Sequence, residues 1–241
     1  MGRVLVTGAA RGLGRAIAEV LHGAGSEVWA IDVTPVPDEV PARGRRTVDV
    51  TDEAAVDRLF AELDAAGGLD GLVNNAGIFP LADWDVMTSD TWRRTLEVNA
   101  TGTFLCSRAA ALSMRGHGRG GAIVNVASPT FYRGHARGIA YTASKGAVIG
   151  LTRSLAMVLG VHAIRVNAVA PGLMATEGML EQVEAGTVPA DRVAGDEDDL
   201  RLIPGRTRPE AVAEVVAFLL GDGSREITGQ VLAADGGTVF V

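Results

Sequence analysis

The amino-acid sequence predicts a single-domain, doubly wound α/β fold built on a parallel sheet of seven strands. Short β-branched runs alternate with longer helical patterns along the 241 residues. Most of the short runs are continuously apolar, as are strands of a parallel sheet covered on both faces. Hydrophobic residues make up 47% of the chain and there are 31 glycines, a composition typical of a packed globular protein with many tight turns. We therefore predict one Rossmann-like domain over residues 1–241.

The predicted elements follow one another with short connections. The strands are expected at Arg3–Val6, Glu27–Asp32, Thr47–Val50, Leu69–Val73, Ala122–Val126, Ala163–Ala168 and Gln230–Ala233. Helices such as Arg15–His22 and Glu53–Ala66 fill the intervals. Pro35, Pro37 and Pro41 predict a shortened crossover loop before the third strand, because proline lacks a backbone donor. Residues 173–207 break the rhythm with apolar side chains and the acidic run Asp196–Asp199, which favours a lid over a site.

Charge and composition argue against several classes of partner. The net charge of -7 disfavours attraction to nucleic acid or to anionic lipid. The start of the chain enters a strand without a signal-peptide core, and no uncharged apolar run has the length of a membrane span, so we expect a cytoplasmic protein. Cys106 lies in an apolar helical stretch and is given no catalytic role. The histidines lack the spacing of metal ligands, so no metal is expected.

A glycine-rich turn follows the first strand and opens directly into a helix. Its sequence is Thr7-Gly8-Ala9-Ala10-Arg11-Gly12-Leu13-Gly14. Glycine permits backbone angles that a Cβ would block, so a pyrophosphate can rest against the amides at the helix start, with Gly8, Arg11, Gly12, Leu13 and Gly14 as contacts. Such a turn alone can serve packing only. The strand before it, the helix after it and an acid at the end of the second strand favour dinucleotide binding.

That acid, Asp32, predicts which dinucleotide is preferred. It stands about 20 residues beyond the turn, where a carboxylate can accept hydrogen bonds from ribose hydroxyls. Two like charges about 4 Å apart at an effective dielectric of about 20 repel by roughly 4 kcal/mol, which disfavours a 2′-phosphate. NAD is therefore expected. Arg11 and the cluster Arg43–Arg46 are contrary observations, since guanidinium groups hold phosphates, and NADP stays the alternative.

Tyr141 and Lys145 lie four residues apart at the start of a predicted helix, one turn along the same face. A phenol with a pKa of about 10 is a poor base at neutral pH, and lowering it by about three units takes roughly 4 kcal/mol of anion stabilisation. One ammonium at about 4 Å supplies energy on that order, and an oxidised nicotinamide adds a second charge. An isolated pair of this spacing is more simply an amphipathic helix with a surface lysine.

The pair is not isolated, and the chain resembles the short-chain dehydrogenase/reductase family over essentially its whole length. The matching motifs are Thr7–Gly14, Asn74-Asn75-Ala76-Gly77, Asn99, the set Ser128, Tyr141 and Lys145, and Pro171-Gly172. The resemblance implies that Tyr141 is the general acid/base, that Lys145 binds the nicotinamide ribose and lowers the pKa of Tyr141, and that Ser128 hydrogen-bonds the reacting oxygen. It implies that Asn99 organises a water relay.

The resemblance also implies further cofactor contacts. Asp49 and Val50 would flank the adenine, and Thr176 would meet the carboxamide, although Asp49 and Thr176 can equally be helix caps. Asn75, Ala76 and Gly77 would line the middle of the cofactor, with Tyr141, Lys145, Pro171 and Gly172 completing the site. A homotetramer or homodimer is implied as well, with contacts through the helices Ala100–Met114 and Thr142–Gly160.

Apolar side chains near the strand ends predict the substrate. The candidate substrate contacts are Phe79, Pro129, Phe131, Tyr132 and Met174, although packing explains each one alone equally well. They favour an uncharged, moderately hydrophobic secondary or ring-borne alcohol, or the matching carbonyl compound. Pro129, directly after Ser128, departs from the family pattern. The alternatives are an NADPH-dependent 3-oxoacyl thioester reductase, which Asp32 disfavours, and a dinucleotide sensor without chemistry.

Overall fold

The computed structural model describes residues 2–174, 176–184, 186 and 201–240, with the side chain of residue 182 left out. Its strands are β1 (Arg3–Thr7), β2 (Glu27–Asp32), β3 (Gly44–Thr47), β4 (Gly71–Asn74), β5 (Gly121–Val126), β6 (Ile164–Pro171) and β7 (Val231–Ala234). They form one seven-stranded sheet in the order β3-β2-β1-β4-β5-β6-β7. Every neighbouring pair is parallel. The predicted doubly wound fold is confirmed, and its chain order reverses between β1 and β4.

Helices cover both faces of the sheet. They are α1 (Gly12–Gly23), α2 (Glu53–Ala65), α3 (Ser89–Leu96), α4 (Gly102–His117), α5 (Thr130–Arg133), α6 (Ile139–Leu159), α7 (Glu177–Glu184) and α8 (Pro209–Leu220). Val4 and Val6 of β1 pack into the cluster that α1 and α8 share, whereas Leu5 packs into the cluster with α2 and α4. Because alternate side chains meet opposite helix layers, the strands need apolar residues at every position.

The third strand lies earlier in the chain than predicted. The sequence indicated Thr47–Val50, but the structure has Gly44–Thr47 paired with Trp29–Asp32. This strand is at the edge of the sheet, where it gains backbone hydrogen bonds with little burial, so its arginines carry no apolar signal. A Cβ on Gly44 would lie 2.6 Å from the Trp29 ring, which explains the glycine. Residues 33–43 contain no helix, as their prolines predicted.

The predicted lid is described only in part. Helix α7 covers Glu177–Glu184, whereas the acidic run Asp196–Asp199 lies outside the described residues.

Among the described residues, no group of three or more His, Cys, Asp or Glu side chains could hold a metal ion. Cys106 is buried in α4, and this burial raises the pKa of its thiol to about 12.

Helix α6 is unusually apolar for a helix that carries charged side chains. With the turn that follows it, the stretch Ile139–His162 has a mean hydropathy of 1.2 and is long enough to cross a membrane by length and composition. The helix nevertheless packs along β6 and holds Lys145 in the interior. The same composition also suits a helix with one side in the core and another against a second chain.

Candidate active site

Four neighbouring strands end at one edge of the sheet and bring the predicted site residues together. Strand β1 leads into the glycine turn, β4 ends at Asn74, β5 ends two residues before Ser128, and β6 ends at Pro171. Ligands of open parallel sheets bind at this edge, beside the point where the strand order reverses. The order β1, β4, β5, β6 in the sheet therefore places the loop after β4 between the predicted cofactor turn and the Ser128 loop.

The glycines of the turn are required by close contacts. A Cβ on Gly14 would lie 1.9 Å from the Gly8 carbonyl oxygen, so only glycine lets α1 begin against the turn. Gly8 and Gly12 have φ values of +65° and +55°, a conformation that residues with a Cβ rarely adopt. The first amides of a helix have no partner within the helix, and here they lie in a turn whose shape and polarity fit a pyrophosphate.

The loop after β4 forms hydrogen bonds with this turn. The Asn75 side-chain amide donates to the carbonyl oxygens of Thr7 and Gly8 at 3.0 and 2.9 Å. The Thr7 hydroxyl accepts from the backbone amides of Asn75 and Ala76, each at 3.0 Å. Asn75 and Ala76 therefore hold the phosphate-binding turn in shape, a positioning function that the sequence did not reveal.

Two acidic side chains of α7 contact the glycine turn. The Gly12 amide donates to a Glu177 carboxylate oxygen at 2.9 Å, and Arg11 forms an ion pair with Glu181. Thr176 lies against Gly12, where its Cβ would be 3.3 Å from a Cβ on the glycine. The Glu177 carboxylate is thus a negatively charged stand-in at the amide predicted to meet the pyrophosphate. The backbone carbonyl of Thr176 accepts from the amides of Met179 and Leu180 in the first turn of α7, at 2.9 and 3.0 Å.

Asp32 lies at the end of β2, against the turn. One carboxylate oxygen accepts from the Ala10 amide at 3.1 Å, and the other accepts from the amide and hydroxyl of Thr34, also at 3.1 Å. The arginines that could favour a 2′-phosphate all have other partners. Arg11 pairs with Glu181, Arg43 with Glu27, Arg45 with the Val40 and Asp38 carbonyls, and Arg46 with Glu62.

Asp49 and Val50, which are predicted to flank the adenine, follow β3. Asp49 accepts from the amide and hydroxyl of Thr51 at 2.9 and 2.7 Å. Burial raises the pKa of Asp49, but the hydrogen bonds from Thr51 and Arg94 outweigh this effect and lower it overall. The helix cap of α2 is Asp52, which accepts from the Ala55 amide at 3.0 Å, so the capping alternative for Asp49 is wrong.

Lys145 is buried beside Tyr141 on the first turns of α6. Its Nζ donates to the Val126 carbonyl at 2.6 Å and lies 5.4 Å from the centre of the Tyr141 ring. Burial lowers the pKa of Lys145 to about 8. The lowered value is still above neutral pH, so the positive charge is the favoured form there.

The groups of the protein around Tyr141 raise the pKa of its phenol overall. Burial of the phenol raises its pKa, and the hydrogen bond with Ser128 lowers it by less. The ammonium of Lys145 is directed to the Val126 carbonyl rather than to the phenolic oxygen. The groups of the protein thus keep Tyr141 protonated, and the lowering of its pKa by Lys145 and an oxidised nicotinamide stays a prediction.

Asn99 connects the β4 loop to α6 from a π-helical turn, Glu97–Thr101. Its amide nitrogen donates to the Ile78 carbonyl and the Ser144 hydroxyl, both at 2.9 Å, and its oxygen accepts from the Ile78 amide at 2.8 Å. Ser144 in turn donates to the Tyr141 carbonyl at 2.7 Å. Asn99 therefore holds the backbone of Tyr141 in place. The predicted water relay stays a prediction, since these bonds use the Asn99 side chain.

The predicted substrate contacts lie in two different environments. The Phe79 ring packs edge-on against Tyr141, with centroids 4.4 Å apart, and against His135 at 5.4 Å. Pro129 is buried in the turn after Ser128. Phe131 instead lies across Gly146 of α6 and against Tyr132, and Tyr132 and Met174 pack on the hydrophobic core. Of these five residues, Phe79 is the one in ring contact with the proposed acid/base. All five substrate contacts stay predictions.

Comparisons with known proteins agree with this arrangement. A family model described as enoyl-(acyl carrier protein) reductase matches residues 8–239. Cis-4-hydroxycyclohexanecarboxylate dehydrogenase of Sinomonas cyclohexanicum is 41% identical, with 98% of this chain and 96% of the relative covered. The 2,5-dichloro-2,5-cyclohexadiene-1,4-diol dehydrogenase of Sphingobium indicum is 38% identical, covering 97% and 95%. A solved short chain dehydrogenase from Mycobacterium paratuberculosis, bound to NAD, superposes with a TM-score of 0.87 at 30% identity, covering 98% and 97%.

Proposed function

This chain belongs to the short-chain dehydrogenase/reductase family, and we propose that within it the protein is an NAD-dependent dehydrogenase of ring-borne secondary alcohols. The observation that carries the proposal is the placement of buried Lys145 beside Tyr141, with Ser128 hydrogen-bonded to the phenol, at the edge where the glycine turn opens. A dinucleotide sensor without chemistry is the weaker candidate, because such a protein can dispense with an acid/base group, whereas this chain keeps Ser128, Tyr141, Lys145 and Asn99 together.

The chemistry divides between the cofactor and the chain. A bound nicotinamide would accept or return the hydride at the carbon that bears the hydroxyl. Tyr141 takes the hydroxyl proton during oxidation and gives it back during reduction, while Ser128 donates a hydrogen bond to the same oxygen. Lys145 keeps a positive charge beside the phenol, and it would bind the nicotinamide ribose. Asn99 holds Tyr141 at its place in α6 and would organise the water relay.

NAD rather than NADP is proposed as the cofactor because of Asp32 and its surroundings. The carboxylate is held against the turn by the Ala10 amide, where a ribose 2′-phosphate would meet it. Each arginine that could offset the repulsion is already engaged with an acid or a carbonyl group, as described above. The NADPH-dependent 3-oxoacyl thioester reductase is therefore the weaker candidate.

A ring-borne alcohol is proposed because of Phe79 and the named relatives. The flat ring of Phe79 packs on Tyr141 and offers an apolar wall next to the proposed acid/base. Both relatives described above carry a six-membered carbon ring in the names of their substrates. An uncharged ring of this size matches the apolar contacts predicted around Ser128.

The proposal is tested by following NADH formation from a panel of alcohols with NAD and with NADP. Cyclohexanol and cyclohexanediols are expected to be oxidised with NAD at kcat/KM values at least about ten times those of primary alcohols. The reason is that their carbon ring can pack against the apolar side chain of Phe79. A 3-oxoacyl thioester offered with NADPH is the competing substrate. Faster turnover of the thioester than of every alcohol, with NADPH preferred, would contradict the proposal.

We also propose a homotetramer or homodimer with contacts through α4 and α6. Apolar side chains on these helices and on the turn that follows α6 are exposed in the single chain, with Met157 of α6 and Val161 of the turn each 84% exposed and Phe104 of α4 41%. Light scattering at micromolar concentration is expected to give the mass of two or four chains. Val161→Glu should lower that mass, whereas Val33→Glu, at an exposed position beyond β2, should not. A monodisperse monomer would refute the assembly. A cytoplasmic location stays a prediction.

A further inference from the structure

A short turn after β5 ties the Ser128 hydroxyl to a neighbouring threonine. The backbone amide of Thr130 donates to Ser128 Oγ at 3.2 Å, and the Thr130 hydroxyl donates to the same oxygen at 3.0 Å. Both residues are buried, with 6% of Ser128 and 8% of Thr130 exposed. Bulk water therefore competes little for these bonds, and the hydroxyl of Ser128 is oriented by the protein.

The two bonds restrict what Ser128 can do. A serine hydroxyl has one proton to donate and two lone pairs to accept with. Thr130 supplies a donor for each lone pair, so the Ser128 proton is left to point toward another acceptor. Ser128 is hydrogen-bonded to Tyr141, and because Thr130 donates to Ser128 Oγ twice, Ser128 is left as the donor in that bond, where it lowers the pKa of the phenol. A hydroxyl that already accepts two bonds is also a stronger donor.

Pro129 sets the backbone conformation of the turn between Ser128 and Thr130. Its helical angles, φ of -60° and ψ of -20°, turn the chain so that the amide of Thr130 faces back to the side chain of Ser128. Proline has a fixed φ and no N–H of its own, so it holds the turn without adding a competing donor. The Tyr132 amide donates to the Pro129 carbonyl at 3.0 Å, which continues the turn into α5. The departure from the family pattern at Pro129 thus has a structural consequence at Ser128.

We propose that Thr130 is a positioning residue that keeps Ser128 a hydrogen-bond donor toward the reacting oxygen. Thr130 acts through Ser128 and has no contact with the substrate in this role. Negative charge on the phenolate, or on an alkoxide formed from the alcohol, is stabilised by a hydroxyl that arrives already oriented. The inference rests on the proposed function for the roles of Ser128 and Tyr141.

The kinetic test compares Thr130→Val with Thr130→Ser, using NAD and cyclohexanol. Thr130→Val keeps the shape and removes the hydroxyl, and it should lower kcat about three- to ten-fold, the factor that one neutral hydrogen bond contributes. The pH at which oxidation reaches half its maximum should rise by about half a unit, because Tyr141 loses part of its donor. Thr130→Ser retains the hydroxyl and should behave as the parent. Equal losses in both variants, or a loss in neither, would overturn the proposal.

A spectroscopic test does not depend on the substrate. The chain has two tyrosines, so in a Tyr132→Phe background the ultraviolet absorbance of tyrosinate reports Tyr141 alone. With NAD bound, Thr130→Val should raise the pKa of Tyr141 by about half a unit, and Thr130→Ser should not. Thr130→Ala, which removes the hydroxyl with less bulk, must reproduce the shift, and thermal unfolding shows that each variant is folded. An unchanged pKa in the folded variants would sink the inference. Full turnover in Tyr141→Phe would instead contradict the proposed function. The titration of Tyr141 would still test the effect of Thr130 by itself.

Discussion

Replacement of Tyr141 by phenylalanine is expected to lower kcat for alcohol oxidation at least about 100-fold, the contribution typical of a positioned acid/base group. The substitution removes the phenolic oxygen and leaves the ring packed against Phe79. Binding of NADH, measured by fluorescence, should stay within about two-fold of the parent, because the turn that holds the phosphates is separate. A variant that binds NADH normally and keeps near parental turnover would show that Tyr141 does not transfer the proton.

The pH dependence of the rates of the parent enzyme should also reflect proton transfer by Tyr141. Burial raises the pKa of Tyr141 above its ordinary value, so the phenol is protonated at neutral pH. Reduction needs the protonated phenol and should proceed at neutral pH, whereas oxidation needs the phenolate and should increase as the pH rises. Bound NAD adds a positive charge and should lower the midpoint of the oxidation profile. The Tyr141→Phe variant should lose this dependence.

Replacement of Asp32 by asparagine is expected to have the second large effect, a loss of the preference for NAD over NADP. The change is isosteric and removes the negative charge, so the repulsion of a 2′-phosphate disappears. Two charges about 4 Å apart at a dielectric of about 20 interact by roughly 4 kcal/mol, and the partial exposure of Asp32 reduces this value. We expect the ratio of kcat/KM for NAD to that for NADP to fall about 100-fold, measured with one alcohol.

A matched control separates this effect from a general change of charge. Asp38 is an exposed acid in the loop after β2, and Asp38→Asn should leave the ratio within about two-fold of the parent. If Asp32→Asn left the ratio unchanged as well, the carboxylate would not select the cofactor. NAD preference would then need another explanation, and the Arg43–Arg46 cluster would have to be tested next.

Particular residues show how far the sequence alone could go. The glycine turn and the helix pair Tyr141 and Lys145 were predicted correctly in place because their chemistry depends on short spacings along the chain. The edge strand was placed too late, since Arg45 and Arg46 contribute backbone hydrogen bonds but no apolar pattern. Ser144 and Thr130 were missed because they contact functional groups through side-chain hydrogen bonds. A serine or threonine in a helical stretch gives no signal of such a partner.

The sequence by itself determined the sheet of parallel strands and the residues at its carboxyl edge, because hydrophobic periodicity and glycine requirements are local properties. Tertiary structure alone decided the electrostatics. The partner of each arginine near Asp32, the direction of the Lys145 ammonium and the raised pKa of Tyr141 all depend on which distant atoms come within a few ångströms. Burial and hydrogen bonding act over such distances in space, whatever the separation in the chain.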